Sequence, residues 1–165
     1  IYGSLRGQPG KRFYSPTHTA VKDRDRLIVF PSTANNEEET ASITFGPEAT
    51  KVIAEGLKLL IEYGEYSSDT GLPSGPHTLM ADVNKLSFPL LIRKWKPGDK
   101  MVPLGMKGKK NVSDILTDEK LPLHKKQDVW VLESGGRIAW LIGIRADNRF
   151  RITSRTKSFV LVKLC

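Results

Sequence analysis

The stretch "DVWVLESGGRIAWLIGIR", residues 128–145, restricts the fold more than any other. Two apolar-leaning runs of strand length flank Gly135-Gly136, a dipeptide suited to a turn that needs positive φ. This reads as a β-hairpin. No apolar run approaches the roughly 18 residues of a membrane span, so no membrane partner is expected. "SITF", "FRITSR" and "SFVLVKL" are further strand candidates, and "HTLMADVNKLSFPLLIRKW" offers one or two more. "RFYSPTHTAVKDRDRLIVF" reads as two short strands around the polar "KDRD", after a Gly-rich, basic start expected to fray. "STANNEEETAS" reads as an acidic loop.

"PEATKVIAEGLKLLIEYGEY" is ambiguous between helix and strand. A partial helical stripe over Val52, Ile53, Leu57, Leu60 and Ile61 is interrupted by Gly56, and the reading leans to two strands. Ser113 is the expected N-cap of a short helix, with Asp114 favouring its positive end. Pro122 suits the first turn of a second. The expected class is α+β, predominantly β, antiparallel, with one or two short helices. The turn-rich "SSDTGLPSGP" suggests a boundary. It would divide a β-rich region, residues 1–78, from a basic domain, residues 79–165.

The 165 residues suffice for one ordinary domain or two small ones. The chain begins with Ile1 and carries no secretory signal, and is expected to be a piece of something longer. Its single cysteine, Cys165, excludes a disulfide framework and a Cys-based metal site. An intracellular, cytoplasmic location fits.

Charge is unevenly spread. Residues 1–90 carry 9 Lys/Arg against 11 Asp/Glu, and residues 91–165 carry 17 against 7. A basic C-terminal half points to a polyanion. The residues for bond chemistry are missing. His18, His77 and His124 lie in separate segments, without metal-ligand spacing, and are expected to face solvent. Asp82, Asp99, Asp114 and Asp118 are read first as turn and helix-start residues. None of the usual nucleotide-binding or nucleophile motifs is present. No catalytic residue, metal or cofactor is assigned.

The basic set concentrates around "PGDKMVPLGMKGKKNVSD", residues 97–114, with four lysines, three glycines and two prolines. Arg93, Lys94, Lys96 and Lys100 lead in, Lys107, Lys109 and Lys110 follow, and Lys120, Lys125 and Lys126 lie beyond. Gly105 and Gly108 let backbone approach a ligand closely. With Gly98, Asp99 and Ser113 they shape the loop. Exposed backbone N–H groups, lysines and a helix start can together bind phosphate. A solvated loop with ordinary lysines accounts for the composition equally well. Trp95 and Trp130 are the nearest aromatics for stacking a base, but Trp130 and Trp140 are expected in the core.

Residues 86–150 carry a dense set of matches to one family. They are Arg93, Gly98, Asp99, Pro103, Leu104, Gly105, Met106, Gly108, Lys109, Lys110, Ser113 and Asp114, then Asp118, Lys120, Leu121 and Pro122, then Trp140, Gly143, Arg145, Asp147 and Arg149. This pattern resembles the C-terminal domain of bacterial tRNA(Ile)-lysidine synthetases. The resemblance implies a sandwich- or barrel-like β fold similar to a domain of the phenylalanyl-tRNA synthetase β chain. It implies a part of a ligase that uses ATP, with magnesium, and lysine to convert the wobble cytidine of an isoleucine tRNA to lysidine. The phosphate loop of that chemistry, S-G-G-x-D-S, is absent from these residues. The resemblance therefore implies a non-catalytic portion that engages the tRNA, at the acceptor stem, beside a catalytic N-terminal domain. Arg145 and Arg149 join the expected tRNA-binding set. A β-rich module for protein docking or homodimerisation is the competing reading.

Overall fold

The computed structural model describes residues 12–15, 18–23, 26–31, 42–54 and 56–165. The expected fraying start up to residue 11 and most of the acidic loop, residues 32–41, lie outside them. In chain order the first strands are β1 (Arg12–Tyr14), β2 (His18–Asp23), β3 (Arg26–Pro31), β4 (Ile43–Phe45), β5 (Lys51–Ala54) and β6 (Leu57–Glu65). Then come β7 (Thr78–Asp82), β8 (Leu90–Lys94), β9 (Lys100–Met101) and β10 (Lys110–Asn111). Helices α1 (Val112–Asp118) and α2 (Leu123–Lys126) precede β11 (Trp130–Ser134), β12 (Arg137–Leu141), β13 (Arg145–Ala146) and β14 (Ser158–Leu164).

Strands β1, β2 and β3 form an antiparallel sheet of three where two strands were expected. The main body holds a five-stranded sheet, ordered β13-β12-β11-β8-β4, and a four-stranded sheet, ordered β5-β6-β14-β7. The strand pairs within both sheets are antiparallel. The ambiguous segment is the β5–β6 pair. Along β6, Leu57, Leu59 and Ile61 are buried while Lys58 and Glu62 are exposed, a period of two that the helical stripe had obscured. Each such buried side chain contributes about 1.5–3 kcal/mol.

The hairpin forms as read, with Gly135 at φ +52° and Gly136 at φ +74°. Its alternation feeds two cores. Trp130, Leu132 and Trp140 pack with Leu59, Leu79, Val160 and Val162 of the four-stranded sheet. Val131, Ile138 and Leu141 pack with Met101 and with Val112, Ile115 and Leu116 of α1. The five-stranded sheet is thus a middle layer between sheet and helix.

Strands β4, β5 and β6 precede residue 78, and β4 pairs with β8 and β6 with β14, so both sheets draw strands from either side of the turn-rich stretch. Three details differ from expectation. Within "FRITSR", residues 150–155, Phe150 ends a 3-10 turn, Asn148–Phe150, and Arg151 makes a single bridge to Ala81, so the segment is not a strand. Helix α1 starts earlier than expected, with Asn111 as its cap and Ser113 inside the first turn. Burial of Val112 explains the shift, because its apolar side chain joins the helix–sheet core. His18 and His77 are exposed, but His124 is partly buried, its Nδ1 without a partner.

Candidate nucleic-acid interface

The basic loop grows from β8. After Trp95, residues Lys96–Asp99 make a turn in which Asp99 N–H donates to the Lys96 carbonyl at 3.1 Å. Pro97 and Gly98, the latter at φ +92°, supply the chemistry of a type II turn. Strands β9 and β10 then pair, Met101 opposite Lys110 and Lys100 opposite Asn111. Between them residues 102–109 leave the body and return. Met101, Val102 and Pro103 are buried, whereas Leu104 to Lys109 are all exposed.

Arg93 holds one foot of this loop. Its Nη1 and Nη2 donate to the two Asp99 oxygens at 2.8 and 3.0 Å, and its Nε and Nη2 donate to Glu133 Oε2 at 2.9 and 2.7 Å. Nη1 also reaches the Lys94 carbonyl at 3.0 Å. Hydrogen bonding to Asp99 raises the Arg93 pKa above the ordinary arginine value, outweighing desolvation, and Glu133 adds to the rise. Asp99 also accepts the Lys96 N–H at 2.9 Å, and its carbonyl accepts the Val112 N–H at 2.9 Å. One guanidinium thus ties β8, β11, the turn and the start of α1.

Asp147 holds the other foot. A bulge in the hairpin leaves Ala139 without an opposite residue, and its carbonyl accepts the Asp147 N–H at 2.9 Å. The buried Asp147 carboxylate accepts the Val102 N–H at 2.8 Å, the Arg149 N–H at 2.8 Å, and Arg149 Nε and Nη2 at 2.9 and 2.7 Å. Hydrogen bonding to Asp147 likewise raises the Arg149 pKa. Leu104 N–H donates to the Ala146 carbonyl, Asn148 N–H to the Val102 carbonyl, and Gly105 N–H to Asn148 Oδ1 at 3.3 Å. Gly105, at φ +87°, closes the turn from Pro103 to Met106, so it has the expected backbone role. Gly108 has no positive φ and open space around it.

The expected basic residues divide sharply. Lys96, Lys100, Lys107, Lys109, Lys120 and Lys125 are exposed, and among the described residues their ammonium groups have no ion-pair partner. The others are engaged. Arg93 and Arg149 are spent on the clamps. Lys94 donates to the Asp128 carbonyl at 3.0 Å and lies 4.1 Å above the Trp130 ring. Lys110 pairs with Asp118, Lys126 donates to Thr117 Oγ1 at 2.8 Å, and Arg145 pairs with Glu119 at 2.8 Å.

Lys120 stands at φ +55°, with its N–H on the Thr117 carbonyl and the Leu121 N–H on that of Leu116. This is a Schellman ending to α1, with a lysine where glycine is usual. Ser113 is not the cap: its carbonyl accepts from Thr117 Oγ1 at 2.8 Å, and its hydroxyl donates to Asp114 Oδ1 at 3.4 Å.

The candidate carboxylates do not gather. Asp82 accepts from Thr156 and Asp114 from Asn111, while Asp99 and Asp118 serve the pairs above. Among the described residues no three His, Cys, Asp or Glu are placed to hold a metal ion. Trp130 and Trp140 are buried, and the partly buried Trp95 donates its ring N–H to the Lys126 carbonyl. Among the described residues no helix is long and apolar enough to cross a membrane. Sequence reasoning missed Arg151, which lies with Leu72, Leu104 and Arg145 around an open cleft beside the loop. The usable signal was "RITSR", whose two arginines were read as part of a strand.

The described geometry is a clamped loop with free lysines at its tip, a form suited to phosphates. The family described as "TilS substrate binding domain" matches residues 1–32, and that described as "TilS substrate C-terminal domain" matches residues 90–162. The tRNA(Ile)-lysidine synthase of Bacteroides thetaiotaomicron is 40% identical over 99% of this chain and 35% of its own length. The chain spans about a third of the length of the curated relatives it matches. A solved structure, the TILS C-terminal domain, superposes with a TM-score of 0.63 at 22% identity, over 74% of this chain and 95% of that one. An N-terminal fragment of the phenylalanyl-tRNA synthetase β subunit from Pyrococcus horikoshii is more distant, with a TM-score of 0.47 at 20% identity over 53% of this chain and 27% of that one.

Proposed function

The chain belongs to the tRNA(Ile)-lysidine synthase family, whose C-terminal region it carries, and from that premise we propose that it is the tRNA-recognition portion of such a ligase. The observation that carries this reading is the loop 102–109, fixed at both feet and presenting Lys107 and Lys109 without a partner among the described residues. Fixed cations read the phosphate backbone and shape of a folded RNA, because A-form duplex hides its major-groove base edges. Lys96, Lys100, Lys120 and Lys125 extend the same contact, and its target is an isoleucine tRNA, at the acceptor stem. Arg93 and Arg149 serve by holding the loop. The recognition unit takes in the strands from β4 onward, because they share its sheets.

The whole ligase would act in the cytoplasm, with ATP, magnesium and lysine handled outside these residues. The residues here do not fit those groups. The described residues gather no metal-ligand cluster, and the sequence has no nucleotide loop. No chemical step is assigned to this chain.

The test is binding of the 165-residue chain to an isoleucine tRNA transcript over a salt series. The expected result is affinity that falls steeply with salt. Absence of binding, or binding indifferent to salt, overturns the reading. The chain alone is expected to form no lysidine from ATP and lysine, and formation of any would refute the non-catalytic assignment.

A further inference from the structure

Leu104, at the start of the exposed part of loop 102–109, lines one side of an open cleft of about 600 Å³. The segment Leu72–Pro76, β7, β13, Glu119 and residues 151–152 form the rest. That volume lies within the roughly 300–1,000 Å³ of ordinary ligand sites. Its walls are apolar and uncovered. Leu72 is 64% exposed and Leu104 47%. Its charged rim is cationic in effect. Arg151 commits one nitrogen, to Asn148 Oδ1 at 3.2 Å, and among the described residues its guanidinium makes no other hydrogen bond. Among the described residues Arg145 pairs only with Glu119, both exposed, an interaction weak enough to exchange for another anion. The remaining lining carboxylate, Asp147, is consumed by Arg149 and two backbone N–H groups.

We propose that this cleft receives an unpaired nucleotide of the bound RNA, its base against the aliphatic walls and its phosphates on Arg145 and Arg151. The proposal rests on the RNA reading of the lysine loop and adds what that loop cannot do. A duplex turns phosphates, 2′-hydroxyls and shallow-groove edges outward and keeps base faces stacked inside, so an apolar cleft gives it nothing to bind. An unpaired nucleotide exposes both an apolar face and a phosphate, the pair of features the cleft offers. Continuity selects RNA over a peptide. Leu104 belongs to the same exposed tip as Lys107 and Lys109, so a strand tracking those lysines reaches the cleft within one or two nucleotides, by the roughly 3.3–3.6 Å that each loop residue can span.

The probes are a blunt RNA hairpin and the same hairpin with a short unpaired 3′ extension, followed by fluorescence anisotropy against the 165-residue chain. The chain is expected to bind the extended probe about fivefold tighter or more. The double variant Leu72→Ser, Arg151→Ala, at exposed positions, is expected to abolish that advantage while leaving blunt-hairpin affinity within about twofold. Ile53→Ser, equally exposed on β5, is the control and is expected to keep it. Equal, salt-dependent binding of both probes overturns the cleft and leaves the lysine reading standing. Binding of neither probe overturns both. Survival of the advantage in the double variant overturns the cleft, and so does self-association of the chain that the double variant abolishes, which would assign the cleft to a second copy.

Discussion

The feet and the tip of loop 102–109 both carry cations and put them to opposite uses. At the feet, the Arg93 side chain is 14% exposed and every guanidinium nitrogen has an acceptor. At the tip, Lys107 and Lys109 are exposed and, among the described residues, unpaired. The residue types suit those uses. Arginine's planar fork can satisfy two carboxylates at once, whereas lysine is a mobile point charge that suits a partner whose phosphates need not be met in one fixed geometry. A cation that is already neutralised cannot also release counterions from RNA. The tip can therefore be tuned for binding without touching the fold, and the feet cannot be touched without losing the tip.

The largest expected effect comes from breaking a foot. Arg93→Ala leaves Asp99 and Glu133 as uncompensated, mostly buried carboxylates, and is expected to cost about 3 kcal/mol of stability. Arg93→Lys keeps the charge but cannot reproduce the fork, and is expected to recover less than half of that loss. Denaturant titration of the three proteins checks both values. If Arg93→Ala unfolds at the wild-type midpoint, the clamp is ornamental and the contrast between feet and tip collapses.

Asp147→Ala comes next. It orphans the Val102 and Arg149 N–H groups and releases Arg149, at an expected cost of about 2–3 kcal/mol. Its distinguishing signature is local. Amide exchange at Val102 and Leu104 should accelerate more than exchange in β14, whose ladder Asp147 does not touch. Uniform acceleration across both would show that Asp147 supports the whole fold and not the loop in particular.

How much of this the sequence disclosed depends on the range of each interaction. The hairpin around Gly135-Gly136 was legible because its turn is decided by adjacent residues. The position of Gly105 was legible for the same reason. The arginines were not. Arg93 meets Glu133 across 40 residues of sequence, and the strand pairing that brings them together is itself a long-range event. A basic residue in a basic segment reads as solvent-facing until its partner is placed. The turn-rich stretch 67–76 likewise marks a loop but does not reveal that the strands on either side of it share two sheets. The resemblance led to this loop, but position in the sequence alone does not distinguish a cation held in a clamp from one left exposed at the tip.

At the tip, the triple variant Lys107→Ala, Lys109→Ala, Lys110→Ala is expected to leave stability within about 0.5 kcal/mol, since none of the three is a core residue. Each phosphate that a lysine no longer neutralises reduces the salt slope of binding by about 0.7–0.9. All three lysines were expected to contribute. Lys110 is already paired with Asp118, so the flattening should be nearer that of two phosphates than of three, about 1.5–2. Adding Asp118→Ala to the wild type frees Lys110 and should steepen the slope. An unchanged slope in the triple variant would make the tip an ordinary solvated surface.

The smallest expected effect tests whether one residue can belong to both regions. Lys120 ends α1 in a left-handed conformation, φ +55°, which disfavours a side chain, and it also presents a free ammonium group to solvent. Lys120→Gly relieves the strain but enlarges the freedom of the unfolded chain, so the net gain is expected to be only about 0.5–1 kcal/mol. Lys120→Ala removes the same charge without relieving the backbone, and no gain is expected from it. Both variants lose the cation equally. If Lys120 meets a phosphate, both should flatten the salt slope by about 0.7–0.9, whatever their stability. Glycine raising stability while both variants bind RNA with a flattened slope would mean that a strained lysine is kept for its charge. Equal stability of the two variants, with wild-type slopes, would place Lys120 in neither region, because the helix would then end equally well without glycine and the RNA would not meet its charge.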